Sequence, residues 1–489
     1  MNYRTPEQMG ISSKDVLAFY KELDACRLST HSVILCRGDS IFSECYYAPF
    51  DKDFKHRMYS TTKSFVSIAV GFCEQDGLLS LDDPMSKYFP EYKDAEFQHS
   101  ATIREMLQMR TGREAGVPWF SAHNGDRAST YYLKGEQKFP NTLFAYDSPA
   151  SYMLCVIVEK LTGKPFLEYL KEKFLNDTGF SPDAYCLQCP GGYSWGDSGI
   201  LCTSQDLLRF ARFVLNGGTW NGKRYLNEEY IKKATYMTDG VTDSYGFHDT
   251  HKIYGYGYQF WGAPNGCFAT KGMGNQISLC DPEHDFIFVI TSCNEGNPLA
   301  YEQIYRALFH NVINKLSDTP LPEDPEAKAE LDAYIAQEKL FCLPGNPESA
   351  LSEKVGGKVF TCEENETGIL WFRLDFNGDE GTFTYENAQG EKKITFGFGH
   401  NVFHKFPQEG YSDMVGGVVC PGNYYDAAFS ADWPAPYTLR LRVQIIDKYF
   451  GNLAILFSFR DEDTVSVRME KTAEHFLEEY KGTLRASAN

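Results

Sequence analysis

The first 315 or so residues alternate between β patterns and helical patterns of apolar positions. Apolar spacing predicts a helix over about 13–28, followed by two strands within 31–47. Further helices are predicted over about 60–75, 102–109, 149–161 and 204–215, and strands return at 278–280 and 286–291. An antiparallel sheet built from both ends of this region and flanked by the helices gives a mixed α/β (α+β) domain.

From about residue 359 the apolar pattern changes to a period of two. Eight or so short strands predict an all-β, barrel-like domain of lipocalin type, closed by a helix over 472–480. The stretch 317–326 carries three prolines and four acids, as inter-domain linkers commonly do. We therefore predict a mixed α/β domain over 1–318, a linker and connecting helix over 319–345, and a β domain over 346–489.

Composition excludes several functional classes. A chain of 489 residues exceeds what one hydrophobic core usually supports, and its net charge of −19 disfavours nucleic acid and anionic membrane surfaces as partners. We expect a cytoplasmic protein, because no apolar signal region or membrane span is evident. The 14 scattered cysteines indicate reduced, mostly buried thiols, including Cys186 and Cys189 of a lone C-x-x-C. No metal or other cofactor is expected.

Ser60 and Lys63 form the strongest local chemical pattern. Three residues apart at the start of a helix, they lie on one face, where a lysine with a lowered pKa can deprotonate the serine hydroxyl. The free N–H groups of a helix start also favour a developing oxyanion. Taken alone, the same pattern fits a capping serine and an exposed lysine.

The surrounding residues resemble the penicillin-recognising serine enzymes, which include class C β-lactamases, DD-peptidases, D-aminopeptidases and related esterases and amidases. Besides S-T-T-K at 60–63, the similar segments are D-G-L-L-S-L-D-D-P at 76–84, T-I-R-E-M-L at 102–107, D-L-L-R-F at 206–210 and N-G-G-T-W-N-G-K at 216–223. They occur in family order within residues 1–315. The resemblance implies a β-lactamase-like fold and an acyl-enzyme on Ser60.

The family's second motif, Y-x-N, matches Tyr146-Asp147-Ser148, with serine in place of asparagine. By resemblance, Tyr146 and Lys63 form the proton-transfer pair, and Ser148 contacts the substrate. The serine variant is more similar to the esterase and amidase branches than to true β-lactamases.

The family's third motif, K-T-G or H-T-G, matches the altered sequence Thr270-Lys271-Gly272. The resemblance implies a second oxyanion donor at the N–H of Met273, beside that of Ser60, with glycine needed for close approach of the backbone to substrate. Lys271 is either a substrate contact or a plain surface charge.

We expect a serine hydrolase that acts on a small-molecule ester or amide, with an unknown oligomeric state. The alternatives are a true β-lactamase and a non-catalytic binding protein in which Ser148 and Thr270 mark decayed chemistry. Ser194 in G-x-S-x-G and Ser198 in G-D-S-G mimic other nucleophile motifs, but the strand and helix that an elbow needs are missing around them. Four aromatic residues either line an acyl pocket or pack in the core: Trp119, Phe120, Tyr131 and Tyr132.

Overall fold

The computed structural model describes residues 1–95, 99–113, 126–132, 138–237, 254–472 and 477–488. The chain divides into two compact units. The first comprises Met1–Lys339 with Asp413–Val418, and the second comprises Leu340–Ser412 with Val419–Asn489. Of the segment 319–345, predicted as linker and connecting helix, residues 319–339 group with the first unit and residues 340–345 with the second. Independent folding of the two parts stays a prediction.

Among the described residues of the first unit, twelve strands are numbered in chain order. They are β1 Asn2–Tyr3, β2 Thr30–Arg37, β3 Ser40–Tyr46, β4 His56–Arg57, β5 Tyr185–Cys186, β6 Ile200–Cys202, β7 Thr219–Trp220, β8 Lys223–Arg224, β9 Trp261–Gly262, β10 Phe268–Gly272, β11 Gln276–Asp281 and β12 Phe286–Ser292. The main sheet has the order β1-β3-β2-β12-β11-β10-β9, and only the short β1–β3 pair is parallel. This confirms an antiparallel sheet made from both ends of the region. A smaller sheet, β4-β6-β5, lies beside the nucleophile segment described below.

The helices of the first unit pack on the main sheet and on one another. They are α1 Ser13–Ala25, α2 Thr62–Gln75, α3 Ile103–Leu107, α4 Arg127–Tyr132, α5 Ser148–Thr162, α6 Phe166–Leu170, α7 Asn176–Thr178, α8 Ser204–Leu215, α9 Glu228–Thr235, α10 Ala300–Asn311 and α11 Pro325–Ile335. Thr102 and Thr203 start α3 and α8 with capping boxes, which satisfy the otherwise free N–H groups of the first turn. Every residue of α2 from Thr62 to Cys73 is buried, as its apolar content predicted.

A hydrophobic core joins the sheet to the terminal helices. Phe19 of α1 packs edge-on against Phe288 of β12, with ring centroids 6.0 Å apart. Leu331 of α11 and Leu308 of α10 belong to the same core. The helix that follows the proline-rich stretch is thus part of the hydrophobic core of the first unit, because burying its apolar side stabilises it there.

The second unit is a β-barrel with one short helix. Its elements are α12 Ser352–Val355, β13 Val359–Cys362, β14 Trp371–Asn377, β15 Glu380–Asn387, β16 Gly390–Phe398, β17 Val402–Tyr411, β18 Val419–Ala435, β19 Thr438–Ile446, β20 Phe450–Phe459, β21 Thr464–Thr472 and β22 Gly482–Ala488. Nine strands form a closed ring, because β18 pairs with β16 as well as with β19, and β17 pairs with β18 beside the ring. The predicted barrel class is confirmed.

The predicted closing helix over 472–480 is wrong. Thr472 ends β21, where it pairs with Asn452, and Glu478–Tyr480 form only a single 3₁₀ turn. Residues 473–476 lie outside the described residues. At Thr472, pairing with the neighbouring strand β20 outweighs helical propensity.

Among the described residues, no helix is long and apolar enough to cross a bilayer. All 14 cysteines are free thiols and most are buried, as their spacing predicted.

Candidate active site

Ser60 lies in a tight turn that connects β4 to α2. The turn is a 3₁₀ segment, Tyr59–Thr61, and Tyr59 has a φ of 47°, a left-handed conformation that is unfavourable for a bulky residue. Two bonds hold it in place: the Met58 N–H donates to the Ile200 carbonyl at 2.8 Å, and the Thr61 hydroxyl donates to the Gln276 carbonyl at 3.0 Å. The sheet strands on either side therefore impose the conformation of the nucleophile turn.

Lys63 points from α2 directly at Ser60. Its Nζ lies 2.8 Å from the Ser60 Oγ and 2.7 Å from the backbone carbonyl oxygen of Asp197. The side chain is only 1 % exposed. Burial lowers the pKa of Lys63 to about 8, against opposing contributions from Asp197 and Asp147. A lysine with this pKa exchanges protons near neutral pH, as a general base for a serine must.

Tyr146 is the third side chain of the cluster that contains Ser60 and Lys63. Its ring faces the Lys63 Nζ, 5.1 Å from the ring centroid, and its side chain hydrogen-bonds Ser60. Burial raises the pKa of Tyr146, and the bond to Ser60 only partly opposes this effect. Tyr146 is therefore a neutral phenol at neutral pH, suited to passing a proton on rather than to acting as a phenolate base.

Asp147 explains why Tyr146 is held in this position. It is the N-cap of α5, and its carboxylate accepts hydrogen bonds from the Ala150 N–H, the Thr111 hydroxyl at 2.8 Å and the Tyr131 hydroxyl at 3.0 Å. Ser148 then forms the first residue of the helix, two positions after Tyr146. The middle residue of the second motif thus has a structural task that the sequence did not indicate.

The altered third motif ends strand β10, next to the nucleophile turn. The Thr270 hydroxyl bonds Ser278 at 2.8 Å, so this side chain is turned into the protein interior. A Cβ on Gly272 would lie 2.2 Å from the carbonyl oxygen of Met58, so only glycine fits. Packing of β10 on the turn that carries Ser60 thus requires this glycine, and its predicted approach to substrate stays a prediction. Met273 follows as the first residue beyond the strand.

Lys271 projects into an aromatic pocket. Its Nζ lies 5.5 Å from the ring centroid of Trp261, 5.4 Å from that of Tyr301 and 5.3 Å from that of Tyr305. Burial lowers the pKa of Lys271 to about 8. Trp261 also stacks on Tyr146, with centroids 5.4 Å apart, so it connects this pocket to the catalytic cluster. The interpretation of Lys271 as a plain surface charge is wrong.

Sequence reasoning missed the residues that surround Lys63. Asp197 and Ser198, noticed only as part of a decoy serine motif, form the turn whose carbonyl holds the lysine. Arg57, three residues before the nucleophile, donates to that turn. Trp119 and Phe120 lie outside the described residues, whereas Tyr131 and Tyr132 are buried.

The chain is similar in sequence to several known proteins. A family model described as Beta-lactamase matches residues 19–311. A 6-aminohexanoate-dimer hydrolase from Paenarthrobacter ureafaciens is 26 % identical over 286 residues, which are 53 % of this chain and 71 % of the relative. Penicillin-binding proteins of Bacillus subtilis and Amycolatopsis lactamdurans also match, at 23 % and 22 % identity over 25 % and 54 % of this chain and 28 % and 77 % of theirs.

Solved structures show the same fold. A putative 6-aminohexanoate-dimer hydrolase from Bacillus anthracis has a TM-score of 0.51 at 20 % identity, covering 66 % of this chain and 88 % of its own. A structure of SurE with D-Leu has a TM-score of 0.50 at 15 % identity, covering 79 % of this chain and 94 % of its own. The family model spans more than half of the sequence and includes Ser60, Lys63 and Tyr146, so the chain belongs to the β-lactamase family.

Proposed function

We propose that this protein is a serine hydrolase that cleaves a small-molecule amide or ester through an acyl-enzyme on Ser60. One observation carries the proposal: a buried lysine with a lowered pKa lies 2.8 Å from a serine hydroxyl in a strained turn. A capping serine with an exposed lysine would not have this geometry. The arrangement matches the general rule that a hydroxyl nucleophile needs an adjacent neutral base.

In the acylation step, the neutral Lys63 amine takes the proton of the Ser60 hydroxyl as Oγ attacks the substrate carbonyl carbon. The N–H groups of Ser60 and Met273 stabilise the oxyanion of the tetrahedral intermediate. The Tyr146 phenol protonates the leaving nitrogen or oxygen and regains a proton from the Lys63 ammonium. The carbonyl–leaving-group bond breaks, and water then hydrolyses the acyl ester by the reverse proton route.

An amide is the favoured substrate class. The relative with 26 % identity over 286 residues is named a 6-aminohexanoate-dimer hydrolase, and its name describes a linear amide. We place Ser148, Lys271 and Gly272 on the substrate side of the site, with Ser148 replacing the longer asparagine of the family motif. The net charge of −19 favours a small molecule over nucleic acid as substrate, and we expect the enzyme to act in the cytoplasm without a cofactor.

A β-lactam is the second candidate substrate, because the matching family model is that of the β-lactamases. Its amide bond is cleaved by the same acylation chemistry. The altered second and third motifs make it the weaker candidate, since Thr270 carries no charge and is already bonded to Ser278.

A fluorophosphonate probe followed by intact-mass measurement tests the proposal. We expect one adduct per chain on the wild type and on Ser194→Ala, which removes the serine of the decoy G-x-S-x-G motif. We expect none on Ser60→Ala. Loss of hydrolysis of a p-nitrophenyl ester should follow the same pattern, with melting temperatures within a few degrees. An unlabelled wild-type protein would instead favour a non-catalytic binding protein, and labelling of Ser60→Ala would place the nucleophile elsewhere.

A further inference from the structure

Arg57 is a fully buried arginine that lies behind the catalytic lysine. It belongs to β4, whose pairing with β6 sets Arg57 opposite Leu201. Its guanidinium lies between two aromatic rings, 4.3 Å from the centroid of Tyr59 and 4.3 Å from that of Trp195. One of these rings belongs to the residue just before the nucleophile, and the other starts the turn that holds Lys63.

The guanidinium also binds that turn directly. Its Nε donates to the Ser198 carbonyl oxygen at 3.0 Å, and its Nη2 donates to the Ser198 hydroxyl at 3.1 Å. The adjacent residue, Asp197, supplies the carbonyl that accepts from Lys63. A planar fork that makes two bonds to one residue fixes orientation as well as distance, which a lysine cannot reproduce.

The turn has little freedom to relax elsewhere. A Cβ on Gly196 would lie 2.2 Å from the Cβ of Cys155, and a Cβ on Gly199 would lie 3.1 Å from the Sγ of Cys186. The backbone from Gly196 to Gly199 is therefore packed tightly on both sides. Arg57 completes this enclosure through the polar groups of Ser198.

We propose that Arg57 is a positioning residue for catalysis: it fastens the Asp197–Ser198 turn so that the Asp197 carbonyl holds Lys63 against the Ser60 hydroxyl. The inference rests on the proposed function, because it assumes that Lys63 is the base for Ser60. It adds a residue outside the three sequence motifs to the machinery of the acylation step.

Charge gives Arg57 a second effect on the same lysine. Three charged groups act on Lys63 besides its own burial: Asp197 and Asp147 raise its pKa, and Arg57 lowers it. Tyr146, which also faces Lys63, is neutral because burial raises its pKa. The Lys63 pKa therefore depends on Arg57 through electrostatic repulsion as well as through the geometry of the turn.

Two substitutions at Arg57 separate these effects. Arg57→Lys keeps a positive charge but loses the fork on Ser198, and Arg57→Gln loses the charge as well. Ser198→Ala removes one acceptor of the fork and leaves the charge, so it tests the geometry even if an Arg57 variant fails to fold. Arg212→Lys is the matched control, because Arg212 is a buried arginine of the same unit that binds Asp285 instead.

The rate of fluorophosphonate labelling, measured from pH 6 to 10, reports acylation of Ser60 without a need for the natural substrate. For Arg57→Lys we expect a labelling rate lowered about tenfold or more on the alkaline plateau, as for a displaced base. Ser198→Ala should show a smaller reduction. For Arg57→Gln we expect in addition that the rising limb moves to higher pH, because the positive charge that lowers the Lys63 pKa is lost. Arg57→Gln leaves Lys63 and Arg127 in place, and these two charges lower the pKa of Asp197 more than Arg57 does.

The outcomes separate this inference from the proposed function. If Arg57→Lys and Ser198→Ala label at the wild-type rate at every pH, the positioning role is refuted while Ser60 chemistry stands. A uniform loss in Arg212→Lys as well would show a general effect of buried arginines and would also overturn it. If the wild type does not label at Ser60, the proposed function itself fails.

Discussion

From the lowered pKa of Lys63 we predict how the rate of hydrolysis depends on pH. With a pKa of about 8, about a tenth of the Lys63 side chains are neutral at pH 7 and about nine tenths at pH 9. The rate constant kcat/KM should therefore rise about tenfold between these two values and then level off. An ordinary lysine, with a pKa near 10.4, would be neutral in only about one molecule in 2,500 at pH 7. Burial thus increases the supply of neutral base about 200-fold at pH 7.

The assay is hydrolysis of a p-nitrophenyl ester from pH 6 to 10, with the rate of Ser60→Ala subtracted at each pH as background. Lys63→Arg is the informative control, because arginine keeps the positive charge but stays protonated across this range. We expect Lys63→Arg to lose most activity and to lose the rising limb. A wild-type rate that is flat from pH 7 to 9, or a limb that rises only near pH 10, would refute the assignment of Lys63 as a buried base.

Three further predictions follow from the site and its surroundings. Tyr146→Phe should slow amide hydrolysis about 10²–10⁴-fold but slow hydrolysis of a p-nitrophenyl ester much less, because the p-nitrophenolate leaving group needs no proton. Equal losses of rate on both substrates would contradict the proton-relay role. Nitrocefin should be hydrolysed with a much lower kcat/KM than a small amide or ester. Each substrate hydrogen bond that the altered motifs cannot make raises the barrier by about 1–3 kcal/mol. Turnover of nitrocefin near the diffusion limit would instead indicate a true β-lactamase. Protonation of His56 in the unfolded chain should by itself lower the unfolding free energy by about 1.4 kcal/mol per pH unit below about 6.5, because burial lowers the pKa of folded His56 to about 3. Burial also lowers the pKa of His31, which adds to this dependence. Urea denaturation at pH 7 and pH 5 would test this, and His56→Gln, which removes the titrating ring, should show a shallower dependence.

Sequence patterns were sufficient for the architecture and for the core of the site. The helix that carries Lys63 is buried from Thr62 to Cys73, as its apolar content predicted. The predicted three-residue spacing of Ser60 and Lys63 gives a direct hydrogen bond, with Ser60 in the 3₁₀ turn that leads into α2. These features are local, so the period of the sequence and the geometry of one helix determine them.

The environment of the site could not be predicted in the same way. Lys63 and Asp197 are 134 residues apart in sequence, and Arg57 and Ser198 are 141 apart. Their contacts arise from tertiary packing, for which a single sequence carries no periodic signal. Lys271 is similar: its direction follows from alternation along β10, but the aromatic rings around it come from β9 and α10.

The choice of acceptor for Lys63 has a physical consequence. A carboxylate bonded directly to the ammonium would favour the charged form and keep the lysine protonated, so it could not act as a base. A backbone carbonyl fixes Nζ equally well but carries only a partial charge, so burial can still lower the pKa of the lysine to about 8. The Asp197 carboxylate lies on the same residue, and its buried Oδ1 has no hydrogen-bond partner in the described part of the chain. Burial raises the pKa of Asp197, which weakens its attraction for the ammonium at the position where the carbonyl is needed. The base therefore depends on a backbone position rather than on the acidic side chain beside it, and a residue that holds this backbone controls the reaction without touching the substrate.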